Sequence, residues 1–237
     1  MTDENSFRDL YSDLNELEGT ELVRELRGLK NSVYTLDENF DDLNEMDVWF
    51  QNQGLQVQPM DRLGHLEPFQ REYLRRLHNY LTSVYSLIKH TQRINNNFGS
   101  DTFQSQYTDE LGSRNLTERG EFLRQLRHYT QKRKLPPIEV SLLQEDDGVR
   151  FAIVVPKSEL MDWDEWNEEA EEYLETVPDE VDIQIEVRQY HEKVGGFYEW
   201  YFEEIQKDCT ELMAKRSAVM YKIEQKRSEL FDGLSGS

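Results

Sequence analysis

Apolar residues fall at Leu22, Leu26, Leu29, Val33, Leu36, Phe40 and Leu43, in alternating steps of four and three. That is the period of a helix lying along a long partner, and it predicts one helix from Thr20 to about Gln51, with a shorter one before it around Ser6 to Leu17, broken at Gly19. After the stretch "NQGLQVQPMDRLGHLEP" a second long helix is expected from Pro68, suited to a first turn, to near Phe98, with Tyr73, Leu74, Leu77, Leu81, Val84 and Ile88 inward. Residues 99–114 read as polar and loop-like, with room for a helical turn. "NLTERGEFLRQLRHYTQKRK" then predicts a helix capped by Asn115 or Thr117 and ended by "LPP", its apolar side formed by Leu116, Phe122, Leu123, Leu126 and Tyr129.

The pattern changes at "PIEVSLLQEDDGVRFAIVVP", where two runs rich in Val, Ile, Leu and Phe flank a turn at "EDDG" and predict a β-hairpin. A helix is expected from Asp162 to Glu175, packing through Trp163, Trp166, Ala170, Tyr173 and Leu174. A long one should run from Val181 to about Leu230, bent at Gly195 and Gly196, before a frayed "DGLSGS" tail. The expected fold is mainly α, a helical bundle with long N- and C-terminal helices and a small β-hairpin insertion. It divides into an N-terminal long-helix region (1–53), a helical core (66–135), the hairpin (136–156), a C-terminal helical part packing on the core (157–231) and a flexible tail (232–237).

Composition narrows the chemistry. With 27 Lys and Arg against 48 Asp and Glu in 237 residues, the net charge is -21, which disfavours a general polyanion-binding surface. No apolar run nears the roughly 20 residues needed to span a bilayer, and the N-terminus lacks a signal-peptide pattern, so no membrane association and a cytoplasmic location are expected. One cysteine, Cys209, and five scattered histidines predict no disulfide and no metal site. The chain has no P-loop, no GxGxxG after a strand, no GxSxG, no HExxH and no EF-hand loop, and no cofactor is expected. The acid pairs Asp41/Asp42 and Asp146/Asp147 and the "EEAEE" run read as turns and solvated faces.

Two segments depart from this acidity. Tyr73–Ser100 has four basic residues and no acid, and Phe122–Ile138 has Arg124, Arg127, Lys132, Arg133 and Lys134 and no acid. Side by side they would form one local positive site. Asn79, Ser83, Ser86, His90 and Arg93 recur at helical steps as a polar stripe, whose alternative reading is a plain solvated face. Lys132, Arg133 and Lys134 suit the negative end of a helix macrodipole, but Arg124 and Arg127 lie a turn or more too early for that.

The succession "HNYLTSVYSLIKHTQR", "FLRQLRHYTQKRKLPP", hairpin, "DWDEWN" and "YHEKVGGFYEWYF" resembles prokaryotic proteins related to the HEPN (higher eukaryote and prokaryote nucleotide-binding) superfamily, over roughly residues 66–210. The resemblance implies a helical bundle, commonly a homodimer. It also implies metal-independent endoribonuclease chemistry of toxin, phage-defence and CRISPR systems, carried by an Arg, a following Asn, Asp or His, and a His separated from the Arg by four to six residues. Arg127 matches the arginine and His128 the next position. Lys132, Arg133 and Lys134 stand where the final histidine belongs.

Metal-free RNA cleavage needs a base for the 2′-OH, an acid for the leaving oxygen and cations for the phosphorane. Lys132 can hold a phosphate but is a poor base near neutral pH, and His90 or His128 would have to substitute. Three functions follow as expectations. The first is an RNA- or nucleotide-binding protein with reduced or absent cleavage, its phosphate site formed by Arg124, Arg127, His128, Lys132, Asn79, His90 and Arg93. The second is a nuclease with rearranged acid and base. The third is a non-catalytic assembly module, a homodimer or helical-partner binder, whose basic segments pair with acids of the same chain or a partner.

Overall fold

The computed structural model describes residues 2–54, 59–145 and 148–235, with side chains at 7–52, 67–141, 143, 150 and 152–230. Along the chain the elements are α1 (Thr2–Glu16), α2 (Glu18–Gly54), α3 (Pro59–Phe98), α4 (Asp101–Ser113), α5 (Thr117–Lys132), β1 (Glu139–Glu145), β2 (Gly148–Pro156), α6 (Lys157–Met161), α7 (Glu168–Thr176), β3 (Glu180–Asp182), α8 (Ile183–Asp208) and α9 (Thr210–Ser235). The fold is mainly helical with a small antiparallel sheet, as the periodicity predicts. None of the described helices is long and apolar enough to cross a membrane. Two compact units divide the chain, one formed by 1–30, 90–107 and 199–237, the other by 31–89 and 108–198.

In the first unit α1 packs on α9. Tyr201 is fully buried, and its hydroxyl donates to Asn95 Oδ1 at 2.6 Å. Phe103 stacks on Trp200 with ring centroids 6.2 Å apart. The Asp208 carboxylate accepts from the Ser100 backbone N–H at 2.9 Å and from its hydroxyl at 2.6 Å.

The second unit holds the sheet. β1 and β3 flank β2, with Val140 opposite Ile153 and Val155 opposite Val181. Ala152, Ile153, Val154 and Val155 are all buried, so β2 is covered on both faces and loses the alternation of a half-exposed strand. The unit's buried core also includes Leu36, Leu43 and Phe50 of α2, Tyr73, Leu77, Tyr80, Leu81 and Val84 of α3, Phe122, Leu126 and Tyr129 of α5, and Val187 and Tyr190 of α8.

Several boundaries differ from the sequence reading, each for a local reason. α3 starts at Pro59, so Pro68 lies inside it and not at its first turn. Residues 101–113, expected as loop, form α4. That helix buries only Phe103, too little to leave an apolar stripe in the sequence. Asn115 does not cap α5; at φ 52 it terminates α4 in a left-handed conformation. There Leu116 N–H donates to Leu111 O and Asn115 N–H to Gly112 O, both at 3.0 Å, a Schellman closure. The N-cap of α5 is then Leu116, without a side-chain cap, and Thr117 is its first residue.

The hairpin gains a third strand, β3, and its expected turn at Asp146 and Asp147 falls outside the described residues. No single helix spans 162–175. α6 precedes Asp162, and α7 begins at Glu168, where the Asn167 side chain accepts from Ala170 N–H at 3.2 Å, leaving both tryptophans in the link between them. The expected long C-terminal helix is two helices. It is interrupted at buried Cys209 and not at Gly195 and Gly196, which lie within α8. α9 continues to Ser235, into the tail read as frayed.

Candidate functional site

The basic stretch lies on α5, whose apolar side is fixed by Phe122, Leu123, Leu126 and Tyr129, all fully buried. At 3.6 residues per turn this places Arg124, Arg127 and His128 together on another face. That face meets Tyr85 of α3. The Arg127 guanidinium carbon lies 4.1 Å from the Tyr85 ring centroid, and the His128 ring meets Tyr85 edge-on at 5.5 Å and 89°. Lys89 Nζ approaches the same ring at 5.9 Å. Three basic groups from two helices therefore converge on one tyrosine, each near an electron-rich π-system.

The other cations of the stretch are bound to acids of the same unit. Arg124 Nε donates to Glu121 Oε2 at 2.7 Å. Lys132 reaches Glu165 at 2.5 Å, Arg133 pairs with Asp162, and Lys134 reaches Glu159 at 2.7 Å. Arg127 differs: among the described residues no carboxylate pairs with it, and its Nε is buried without a hydrogen-bond partner. A guanidinium has five donors, so this side chain keeps unused hydrogen-bonding capacity.

The His128 pKa lies below its ordinary 6.5, first because burial disfavours the charged ring and then because Arg127, Arg124 and Lys132 repel a further positive charge. A neutral imidazole beside a guanidinium suits proton acceptance. Lys132 is held by Glu165.

Asn79 borders a cleft of about 380 Å³ between α2 and α3, lined also by Ser32, Thr35, Asn39, Thr82, Ser83 and Ser86. The hydroxyls of Thr35, Thr82, Ser83 and Ser86 each donate to a main-chain carbonyl of their own helix, so their protons are already committed. None of the α5 residues lines this cleft. His90 and Arg93 belong to the first unit, where Arg93 pairs with Glu25. The polar stripe is thus divided between the two units.

A second polar centre of the same unit was missed. Asp47 is 8% exposed and accepts a hydrogen bond from Gln184 Nε2 at 2.6 Å. Gln184 Oε1 in turn accepts from Arg150 at 3.2 Å, and Arg150 pairs with Asp182 at 2.6 Å. Burial pushes the Asp47 carboxyl up to about 6 against the opposing hydrogen bond from Gln184. Its signal was in the sequence: the apolar steps Phe40, Leu43 and Phe50 place position 47 on the buried stripe, and an acid there contradicts the pattern.

Among the described residues no cluster of His, Cys, Asp and Glu is arranged to hold a metal ion. No family model matches the chain, and no curated protein or solved structure matches it either.

Proposed function

We propose that the Tyr85, Arg127 and His128 surface binds a phosphate group of RNA, or of a nucleotide, as a HEPN-like site with reduced or absent cleavage, of the kind found in toxin and phage-defence systems. The observation that carries this reading is Arg127. In a chain of net charge -21 it is the cation of α5 without a carboxylate partner, and its guanidinium carbon sits 4.1 Å from the Tyr85 ring centroid, so the ring restricts where the fork can go. Pre-orientation of a planar fork lowers the entropy lost when it grips a phosphate. Reduced cleavage follows from chemistry. His128 can take one proton, but general acid–base cleavage needs a second group, and Lys132, Arg133 and Lys134 supply no second histidine.

Titration of a labelled single-stranded RNA at low salt, followed by anisotropy, tests this reading. Arg127→Ala should weaken binding roughly 10-fold or more, as expected for losing a hydrogen bond to a charged group, with intact RNA after incubation in EDTA. No binding by the parent protein, or equal binding by the variant, overturns it. Cleavage in EDTA would instead favour the active-nuclease reading.

A second reading has its own observation. The pairing of Lys132, Arg133 and Lys134 with acids of the same chain is what a non-catalytic helical assembly module would use its basic stretch for. Homodimerisation or a helical partner would then be the function, and sedimentation as a concentration-independent monomer counts against it.

A further inference from the structure

The three ion pairs at the end of α5 form an ordered set. Lys132, Arg133 and Lys134 are consecutive, and their partners Glu165, Asp162 and Glu159 are three residues apart and run the opposite way along the chain. Such a ladder needs a rigid backing, which the tryptophans of the same segment supply. Trp163 and Trp166 are 6% and 9% exposed and meet each other edge to face at 4.8 Å. Both pack on Tyr129, Trp163 at 5.5 Å and Trp166 at 6.0 Å, and Trp166 Nε1 donates to Leu160 O at 2.7 Å. Residues 159–166 therefore turn their indoles toward α5's apolar side and their carboxylates toward its cations.

We infer that Glu159, Asp162 and Glu165 form an autoinhibitory acidic strap that occupies the cationic end of α5 as the phosphates of a single-stranded RNA would, so that RNA must displace the carboxylates to extend from Arg127 along Lys132, Arg133 and Lys134. This rests on the proposed RNA site at Arg127. The acids match a polyanion in sign. They are also displaceable, because Glu165, Asp162 and Glu159 keep 53%, 74% and 42% of their side-chain surface in solvent, where ion pairs are screened and weak. The tryptophan backing is independent of the charges, so the strap survives their removal. The strap restricts RNA binding to ligands that engage Arg127 as well, since loose contact with the three cations alone does not outcompete covalently tethered carboxylates.

The test compares the full chain with the triple variant Glu159→Gln, Asp162→Asn, Glu165→Gln. A control, Glu171→Gln, Glu172→Gln, Glu175→Gln, changes the net charge equally on the exposed face of α7. With single-stranded RNA at low salt the strap variant should bind at least 10-fold tighter. Each phosphate newly contacted should steepen the log–log salt dependence by about 0.7, and the control should match the parent. Circular dichroism melts check that both variants fold, and the single variant Glu165→Gln should give an intermediate gain.

Equal affinities for parent and strap variant, or an equal gain in the control, overturn the inference. If Arg127→Ala abolishes parent binding while the strap variant gains nothing, the strap falls and the site stands. If the strap variant gains affinity that Arg127→Ala does not reduce, Arg127 falls and the strap stands. No binding by any form overturns both.

Discussion

Arg127 and Tyr85 form a cation–π pair, with the guanidinium carbon 4.1 Å from the ring centroid, joining α5 to α3 within one unit. Such pairs contribute roughly 0.5–2 kcal/mol depending on desolvation. Tyr85→Leu keeps an apolar side chain but removes the π-face, so it should destabilise the protein by about 1 kcal/mol in urea unfolding. It should also weaken RNA binding although every cation remains. A stability loss without any loss of RNA binding would make the pair purely a helix-packing contact.

The lowered His128 pKa gives a pH signature. Because the folded-state value lies below the ordinary 6.5, the unfolded chain takes up this proton first. The residue's contribution to stability is therefore present above pH 6.5 and is lost as pH falls through the folded value. Phosphate bound nearby reverses the bias, since it favours the imidazolium. RNA affinity should rise as pH drops from 7 toward 5, and His128→Ala should flatten that rise. An unchanged slope in the variant places the titrating group elsewhere.

Asp47 should make the same protein pH-sensitive with the opposite sign. Its carboxyl is raised from 3.8 to about 6, so the folded state holds the proton more tightly than the unfolded state between those limits. The stability contributed by the protonated form is complete below pH 3.8 and lost as pH rises through 6, on the order of 3 kcal/mol at about 1.4 per unit. Asp47→Asn keeps an oxygen to accept from Gln184 and removes the charge. The variant should exceed the parent in stability at pH 7.5 by up to that amount and approach it near pH 4, as read by denaturant titration at both pH values. Equal stability at pH 7.5 would mean that Arg188 and Arg150, the nearby cations, fully compensate the buried charge.

What was legible in the sequence follows how strongly each residue's environment imprints a period. α2 could be read because Leu22, Leu29, Leu36 and Leu43 are all essentially fully buried on one stripe. α4 could not, because a helix burying Phe103 alone leaves no period. The α8–α9 break escaped because glycines look like natural hinges. Within α8 an added Cβ at Gly195 would meet no atom, while Gly196 lies under the Arg114 guanidinium. The interruption instead falls where Asp208 is drawn to Ser100, a contact 108 residues apart that no local pattern carries. At the site, charge distribution singled out Arg127, but its defining neighbour Tyr85 sits between Val84 and Ser86 without a periodic or charge signal. The acid partners of Lys132, Arg133 and Lys134 were visible only as a generally acidic segment, since their register depends on how Trp163 and Trp166 seat against Tyr129.

Two helical glycines separate close packing from mere propensity. At Gly19, in the first turn of α2, an added Cβ would collide with the backbone carbonyl of Leu212 on α9 and lie 3.2 Å from Arg216 Cβ. A backbone carbonyl cannot swing aside as a side-chain tip can, so the helices themselves must separate. Gly19→Ala should therefore cost about 1–3 kcal/mol, the range for overpacking. Gly28 lies nine residues on in the same helix, is exposed, and has no atom within 4 Å of an added Cβ. Gly28→Ala should stabilise by roughly 0.5–1 kcal/mol, because alanine loses less backbone entropy in a helix. Thermal melts of the two variants should move in opposite directions. A rise at both positions would show that α2 propensity, and not its approach to Leu212, governs the effect at position 19.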